Sequence, residues 1–179
     1  MEKLKQEALV LALVESLRSR GSWCGETHVQ KCTHFLQEGL HVPLGFEFVL
    51  YKHGPFSFDL RQLLAEMRAN SLIDVQPQPH PYGPSLLPGA SASALAGRFR
   101  QTRSQYQGQV DFVAEKLARM GVGELERLST ALLVHCQDPA LAPEVTARRI
   151  TELKPHIPEH LARGAVDDVD RLLKESSST

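Results

Sequence analysis

The sequence predicts a mainly α-helical protein with a small β component. Three observations carry this reading. Apolar residues recur at helical spacing over most of the chain. They alternate at period two only around residues 46–51, with a second short β-like run near 72–76. A proline-rich stretch over 76–97 then separates two helical regions.

Taken in order, residues 3–19 place Leu4, Ala8, Leu11, Val14 and Leu17 on one helical stripe, ended by Gly21. The run ALVLALV at 8–14 is interrupted by Glu15 and is too short to cross a bilayer. No small-residue cleavage site follows it, so a helix explains it better than a signal peptide. Residues 26–39 repeat the pattern with Val29, Cys32, Phe35 and Leu36, from Glu26 or Thr27 to Gly39. The period then changes. In FEFVLYK, Phe46, Phe48 and Leu50 share one face of a strand, and Glu47, Val49 and Tyr51 the other.

Gly54-Pro55 is expected to end that strand. Ser57 suits an N-cap, because its hydroxyl can accept from N–H groups two or three residues on. Asp59 suits the positive end of the helix dipole. Leu60, Leu63, Leu64 and Met67 follow at i, i+3, i+4, i+7, one buried face that Asn70 closes. LIDVQPQ reads as a short strand. Pro77, Pro79, Pro81, Pro84 and Pro88 remove ladder donors, so 76–97 is expected to be a loop or loose hairpin.

Helical spacing resumes from about residue 104. Val110, Val113, Leu117 and Met120 form one stripe; Leu125, Leu128, Leu132 and Cys136 form another. Val145, Ile150 and Leu153 mark a shorter helix. Pro158 opens a last one with Leu161, Ala165, Val169 and Leu172, and the tail KESSST is expected to fray. This order is that of a winged helix-turn-helix with an irregular wing, followed by a helical bundle. The organisation expected is a winged-helix-like half over 1–97, with the wing at 76–97, and a C-terminal bundle over 98–175 packed against it.

Composition narrows the function classes. A formal net charge of −1 gives no global footprint for nucleic acid, so such binding would need a local basic patch. The three cysteines, Cys24, Cys32 and Cys136, form no Cys-x-x-Cys pair and fit free thiols in a reducing, cytoplasmic setting.

The motifs HVQKCTHFLQ and FVLYKHGPFSFDLRQLL resemble the second helix and the strand–Gly-Pro-x-Ser–helix signature of the YwgA-like family of uncharacterised bacterial proteins. ELERLSTALLV and ITELKPHIPEHLARGAV are similar in character to its later helices. His53 stands where that family commonly has an aromatic residue, and Cys32 where it has an aliphatic one. The Gly-Pro-x-Ser element is shared more distantly with the Panacea domain of SocA-like antitoxins. The resemblance implies a winged-helix-like fold, and through the antitoxins a role in neutralising or delivering a partner protein.

Candidate chemistry is sparse. There is no Gly-x-x-x-x-Gly-Lys-Ser/Thr or Gly-x-Gly-x-x-Gly pattern, and Pro55 removes a donor that a phosphate cradle would use. Cys24, His28 and Cys32 fall at i, i+4, i+8 with His34 nearby, but without the paired spacings of a structural zinc site. A core cysteine and surface histidines are the simpler expectation. Ser57 has a capping role and no Gly-x-Ser-x-Gly elbow accompanies it; Asp167-Asp168 reads as a solvated helix face. No catalytic residue, metal or cofactor is assigned.

The expected function is that of a non-enzymatic regulator that binds a macromolecule through the winged-helix half, with DNA as the leading partner and a protein as the alternative. DNA binding, as in a transcription regulator, would join Arg61, Arg68, Arg98, Arg100 and Arg103 into one positive surface, although Asp59 and Glu66 offset the helix at 57–69. Arg148 and Arg149 form a smaller basic pair. Protein binding, as in an adaptor or antitoxin-like module, would use Tyr51, His53, Phe56 and Phe58 around the Gly-Pro turn. Coverage of these rings by the C-terminal helices is the simpler expectation. The partner is thus DNA or a protein, with no membrane engagement and with homodimer formation left open; an unrecognised enzyme or metal protein is the third reading.

Overall fold

Helix α1 (Lys3–Ser19) lies at the centre of the molecule, in a computed structural model that describes residues 1–79 and 83–177. From Glu7 to Val14 it is buried on nearly every face, which is what its all-round apolar sequence demands. Arg20 ends the helix, and Gly21 follows at φ 83°. Helices α4 (Ala92–Arg98), α5 (Arg100–Gln105) and α6 (Gln107–Leu117) pack against α1, as does α2 (Glu26–His34). A π-helical turn, Phe35–Gly39, extends α2.

The chain is mainly helical with two small antiparallel hairpins. Strands β1 (Val49–Tyr51) and β2 (Gly54–Phe56) form the first, before α3 (Phe58–Ala69). Strands β3 (Ile73–Gln76) and β4 (Ser85–Pro88) form the second, after it. The remaining helices are α7 (Val122–Gln137), α8 (Pro143–Leu153) and α9 (Glu159–Ser176), which pack on one another. Buried apolar residues from every part of the chain, from Ala8 to Leu172, belong to one hydrophobic cluster.

Several expectations change in detail. The alternation in FEFVLYK holds: Phe46 is buried and Phe48 and Leu50 half-buried, while Glu47, Val49 and Tyr51 are exposed. Only Val49–Tyr51 pairs as a strand, however, and Gly54-Pro55 does not stop the β structure but begins its second strand. The described part of the 76–97 stretch holds a strand, β4, and the start of a helix, α4. Pro88 sits at the end of the β3–β4 ladder opposite Ile73, and Pro77, Pro79 and Pro84 lie outside the strands. Gly89 passes so close to Ser71 that an added Cβ would lie 2.3 Å from its carbonyl oxygen. Helix α4 starts at Ala92, well before residue 104. The part of the loop expectation that falls on 80–82, and the end of the tail at 178–179, lie outside the described residues. Helix α9 runs to Ser176, so Lys174, Glu175 and Ser176 are helical rather than frayed.

Ser57 caps α3 as expected, its hydroxyl accepting from the Leu60 N–H at 3.2 Å, and Asn70 closes the helix. Among the described residues no helix is long and apolar enough to cross a membrane.

Candidate functional site

The Gly-Pro hairpin is held from below with unusual care. In its register Leu50 faces Pro55, flanked by the pairs Val49–Phe56 and Tyr51–Gly54. Pro55 has no N–H, so the ladder bonds fall on the flanking pairs and its carbonyl points away from β1. Lys31 Nζ donates to that carbonyl. Next to it, Gln30 clamps Ser57 at two points: its amide donates to the Ser57 carbonyl and its oxygen accepts the Ser57 N–H, each at 2.9 Å. Both side chains come from α2, whose polar sequence HVQKCTH runs through the interior.

The turn itself is gripped from the C-terminal half. Lys154 Nζ donates to the carbonyls of Tyr51 and Lys52, the latter at 2.7 Å. The Glu126 carboxylate lies 3.4 Å from Lys154 Nζ, 3.3 Å from His156 Nε2 and 4.0 Å from His53 Nδ1. Glu126, Lys154 and Lys31 are all buried, Lys31 to 2% exposure. Burial pulls the Lys31 pKa down to about 8; Glu126 pushes it back up and Lys154 adds to the lowering. Gln30, Lys31, Glu126 and Lys154 escaped sequence reasoning, because nothing in their spacing distinguishes a buried charge from a surface one.

Gly54 closes the grip. Its φ is +84°, and a Cβ there would meet Thr130 Oγ1 at 3.0 Å and the Glu126 carbonyl at 3.3 Å. Gly54→Ala is therefore expected to cost about 2 kcal/mol, from left-handed strain plus the contact with α7. Chemical denaturation reads this, and an unchanged midpoint would mean that the hairpin is not pinned to α7.

An exposed aromatic cluster lies across the hairpin and the start of α3. The rings of Tyr51, Phe56 and Phe58 contact one another, with centroids 5.1 to 5.7 Å apart, two of the three pairs edge-on. Phe58 is 53% exposed and Tyr51 44%, while Phe56 is half-buried and His53 stands exposed at the turn. The expected coverage by the C-terminal helices does not occur. Helix α7 packs against Gly54, and Lys154 at the end of α8 binds the carbonyls of Tyr51 and Lys52, yet Tyr51 and Phe58 stay exposed.

The five arginines do not gather into one group. Arg61 and Arg68 line a common cleft along α3, and the Arg61 guanidinium also sits 5.8 Å from the Phe56 ring centre and 3.4 Å from Glu26. Arg98 stacks on Phe99 at the end of α4, Arg100 is exposed at the start of α5, and Arg103 is ion-paired with Glu15 of α1. Glu66 pairs with Lys3 rather than with an arginine.

The Cys/His group is a set of core residues. Among the described residues no three metal-ligating side chains converge. Cys24 and Cys32 are buried, as expected for a core cysteine, and burial pushes the Cys24 thiol up to about 12 and that of Cys32 up as well. The histidines, expected at the surface, are buried too, because α2 is buried at every position from His28 to His34. His28 shares a hydrogen bond of 3.1 Å with the Leu117 carbonyl, and burial lowers its pKa. His34 packs against Phe48 with neither ring nitrogen hydrogen-bonded. Asp167 and Asp168 pair with Arg163 and Arg171 on α9.

A scan against protein-family models finds no match for this chain, and a search of curated proteins finds none. The likeness to the YwgA-like proteins therefore rests on the motifs quoted above.

Proposed function

We propose that this chain is a non-enzymatic, cytoplasmic protein-binding module that docks a partner protein through Tyr51, Phe56 and Phe58. The observation that carries this reading is the exposed aromatic cluster on a hairpin fixed from below by Lys31, Gln30 and Lys154. Large aromatics left in water on a rigid support lose little entropy when a partner covers them, and such residues supply much of the energy of protein interfaces. His53 stands beside them at the turn. The order α2, α3, hairpin β3–β4 supports a winged-helix-like reading of the N-terminal half. DNA is the weaker partner, since Arg61 and Arg68 line an apolar cleft, Arg103 is ion-paired with Glu15 and Arg98 lies on Phe99, so the five do not form one basic surface. The unpaired cysteines support the cytoplasmic assignment.

Phe58→Ser is expected to change stability by less than about 1 kcal/mol, as a surface substitution, yet to abolish partner recovery. The measurement is affinity capture from lysate of the source cells with wild type and variant side by side, sequencing any nucleic acid in the same eluate. Identical protein recovery by both, or recovery of DNA alone, would overturn the proposal.

A further inference from the structure

The cleft beside the aromatic cluster has the chemistry to select what binds there. It has a volume of about 750 Å³ and lies between α3, the start of α2, the β3–β4 hairpin and the loop before α7. Its apolar lining includes Leu64, Trp23 and Val122, of which Trp23 is 42% and Val122 50% exposed. Arg61 and Arg68 stand two helical turns apart on the same face of α3, about 10 Å along its axis at 1.5 Å per residue. Arg61 connects the two surfaces, since it lines the cleft and also lies against Phe56.

The charge within the cleft is unbalanced. Among the described residues Glu26 is the one carboxylate in its lining, and it is paired with Arg61 at 3.4 Å. Arg68 has no ion-pair partner among the described residues. His28, the other titratable group in the lining, is held toward its neutral form by burial. Glu124, at the start of α7, is taken up by the Gly121 N–H at 2.7 Å. An occupant must therefore offer negative charge beside apolar surface. A guanidinium on an apolar wall is weakly hydrated and pairs with a carboxylate in a fixed, forked geometry.

We propose that this cleft binds an acidic–apolar segment of the partner protein in a polyproline II conformation, with two carboxylates three residues apart reaching Arg61 and Arg68 and an apolar side chain between them packing on Trp23 and Leu64. In a polyproline II conformation, with three residues per turn and 3.1 Å rise per residue, residues i and i+3 share one face about 9 Å apart, which matches the spacing of the two arginines. A nucleic-acid backbone fits less well: it needs a continuous basic track, whereas here an apolar-lined cleft holds two arginines and a carboxylate. This inference rests on the reading of the aromatic face as a protein-docking surface, and specifies what lies next to it.

Trp23 is the single tryptophan of the chain, so its emission reports occupation of the cleft directly. The experiment selects a random peptide library displayed on phage against the full-length protein, then titrates the enriched peptides while following Trp23 fluorescence. The expected result is enrichment of peptides with acids at i and i+3 around an apolar residue, a blue shift of Trp23 on binding, and at least tenfold weaker binding to Arg68→Glu. Arg68→Gln, which leaves a neutral side chain at this exposed position, should weaken binding in the same direction and guards against a folding defect in the reversal. Peptides that bind Arg68→Glu unchanged but are lost on Phe58→Ser, with Trp23 unmoved, would overturn the cleft while leaving the docking surface intact. No enrichment, or a Trp23 shift produced only by random-sequence duplex DNA and steeply weakened by salt, would overturn both.

Discussion

Replacing Glu126 with Gln is expected to destabilise the protein by about 3–5 kcal/mol, the usual cost of removing one member of a buried ion pair. The carboxylate lies 3.4 Å from Lys154 Nζ and acts on Lys31 as well, so it is the negative charge that makes two buried ammonium groups tolerable. Neutralising it leaves Lys154 and Lys31 with backbone carbonyls as acceptors but no negative charge to offset their desolvation. The Lys31 pKa, already drawn down to about 8, should fall further, because Glu126 is the charge that raises it. Urea denaturation of wild type and Glu126→Gln measures the first effect; the pH at which Lys31 becomes reactive toward an amine reagent measures the second. Lys154→Met in the Glu126→Gln background should cost less than the two single changes added, since the second substitution removes a charge the first has orphaned. A loss under about 1 kcal/mol would show that water reaches the pair and that the hairpin is held by its backbone hydrogen bonds alone.

The sequence made the helices legible wherever burial is one-sided. Leu60, Leu63, Leu64 and Met67 lie inside as their spacing requires, and Ser57 caps α3 as its position suggests. The same logic misjudged α2, whose residues HVQKCTH read as half polar although every one of them is buried. Periodicity assumes that polar side chains seek water; in α2 most of them seek backbone instead, at Ser57, Pro55 and Leu117. It also overreached at Val145 and Leu153, which match the helical stripe of α8 yet remain exposed, while Ile150 alone of the three is buried. At the candidate site the aromatic residues were visible in the sequence and their exposure was not. That depends on how the distant residues Glu126 and Lys154 hold a hairpin of two three-residue strands, and no local pattern encodes it. The cleft was hidden for the same reason, since its walls come from four separate stretches of chain.

His34 should make the fold acid-labile at a pH where most carboxylates are still ionised. Its ring is fully buried, neither nitrogen is hydrogen-bonded, and burial together with the nearby Lys31 ammonium lowers its pKa from 6.5 to about 3. Above pH 6.5 the imidazole is neutral in both folded and unfolded chains and the stability is unaffected. Between pH 6.5 and 3 the unfolded chain binds a proton that the folded chain refuses, so stability falls as pH falls. The full loss is about 5 kcal/mol at 1.36 kcal/mol per pKa unit, and about 3 kcal/mol of it falls between pH 6.5 and 4.5, before carboxylate protonation dominates. His28, with its own lowered pKa, adds to the slope in the same direction. His34→Leu isolates the term: an apolar side chain of similar size gives up no hydrogen bond, so stability at pH 7 should hold or rise, while the wild-type acid slope flattens. Guanidinium denaturation at pH 7, 5.5 and 4.5 for both proteins reads the difference. Parallel slopes would mean that His34 gains its proton inside the folded protein, which requires water or a carboxylate to reach a ring that is closed off on every side by α2 and its neighbours.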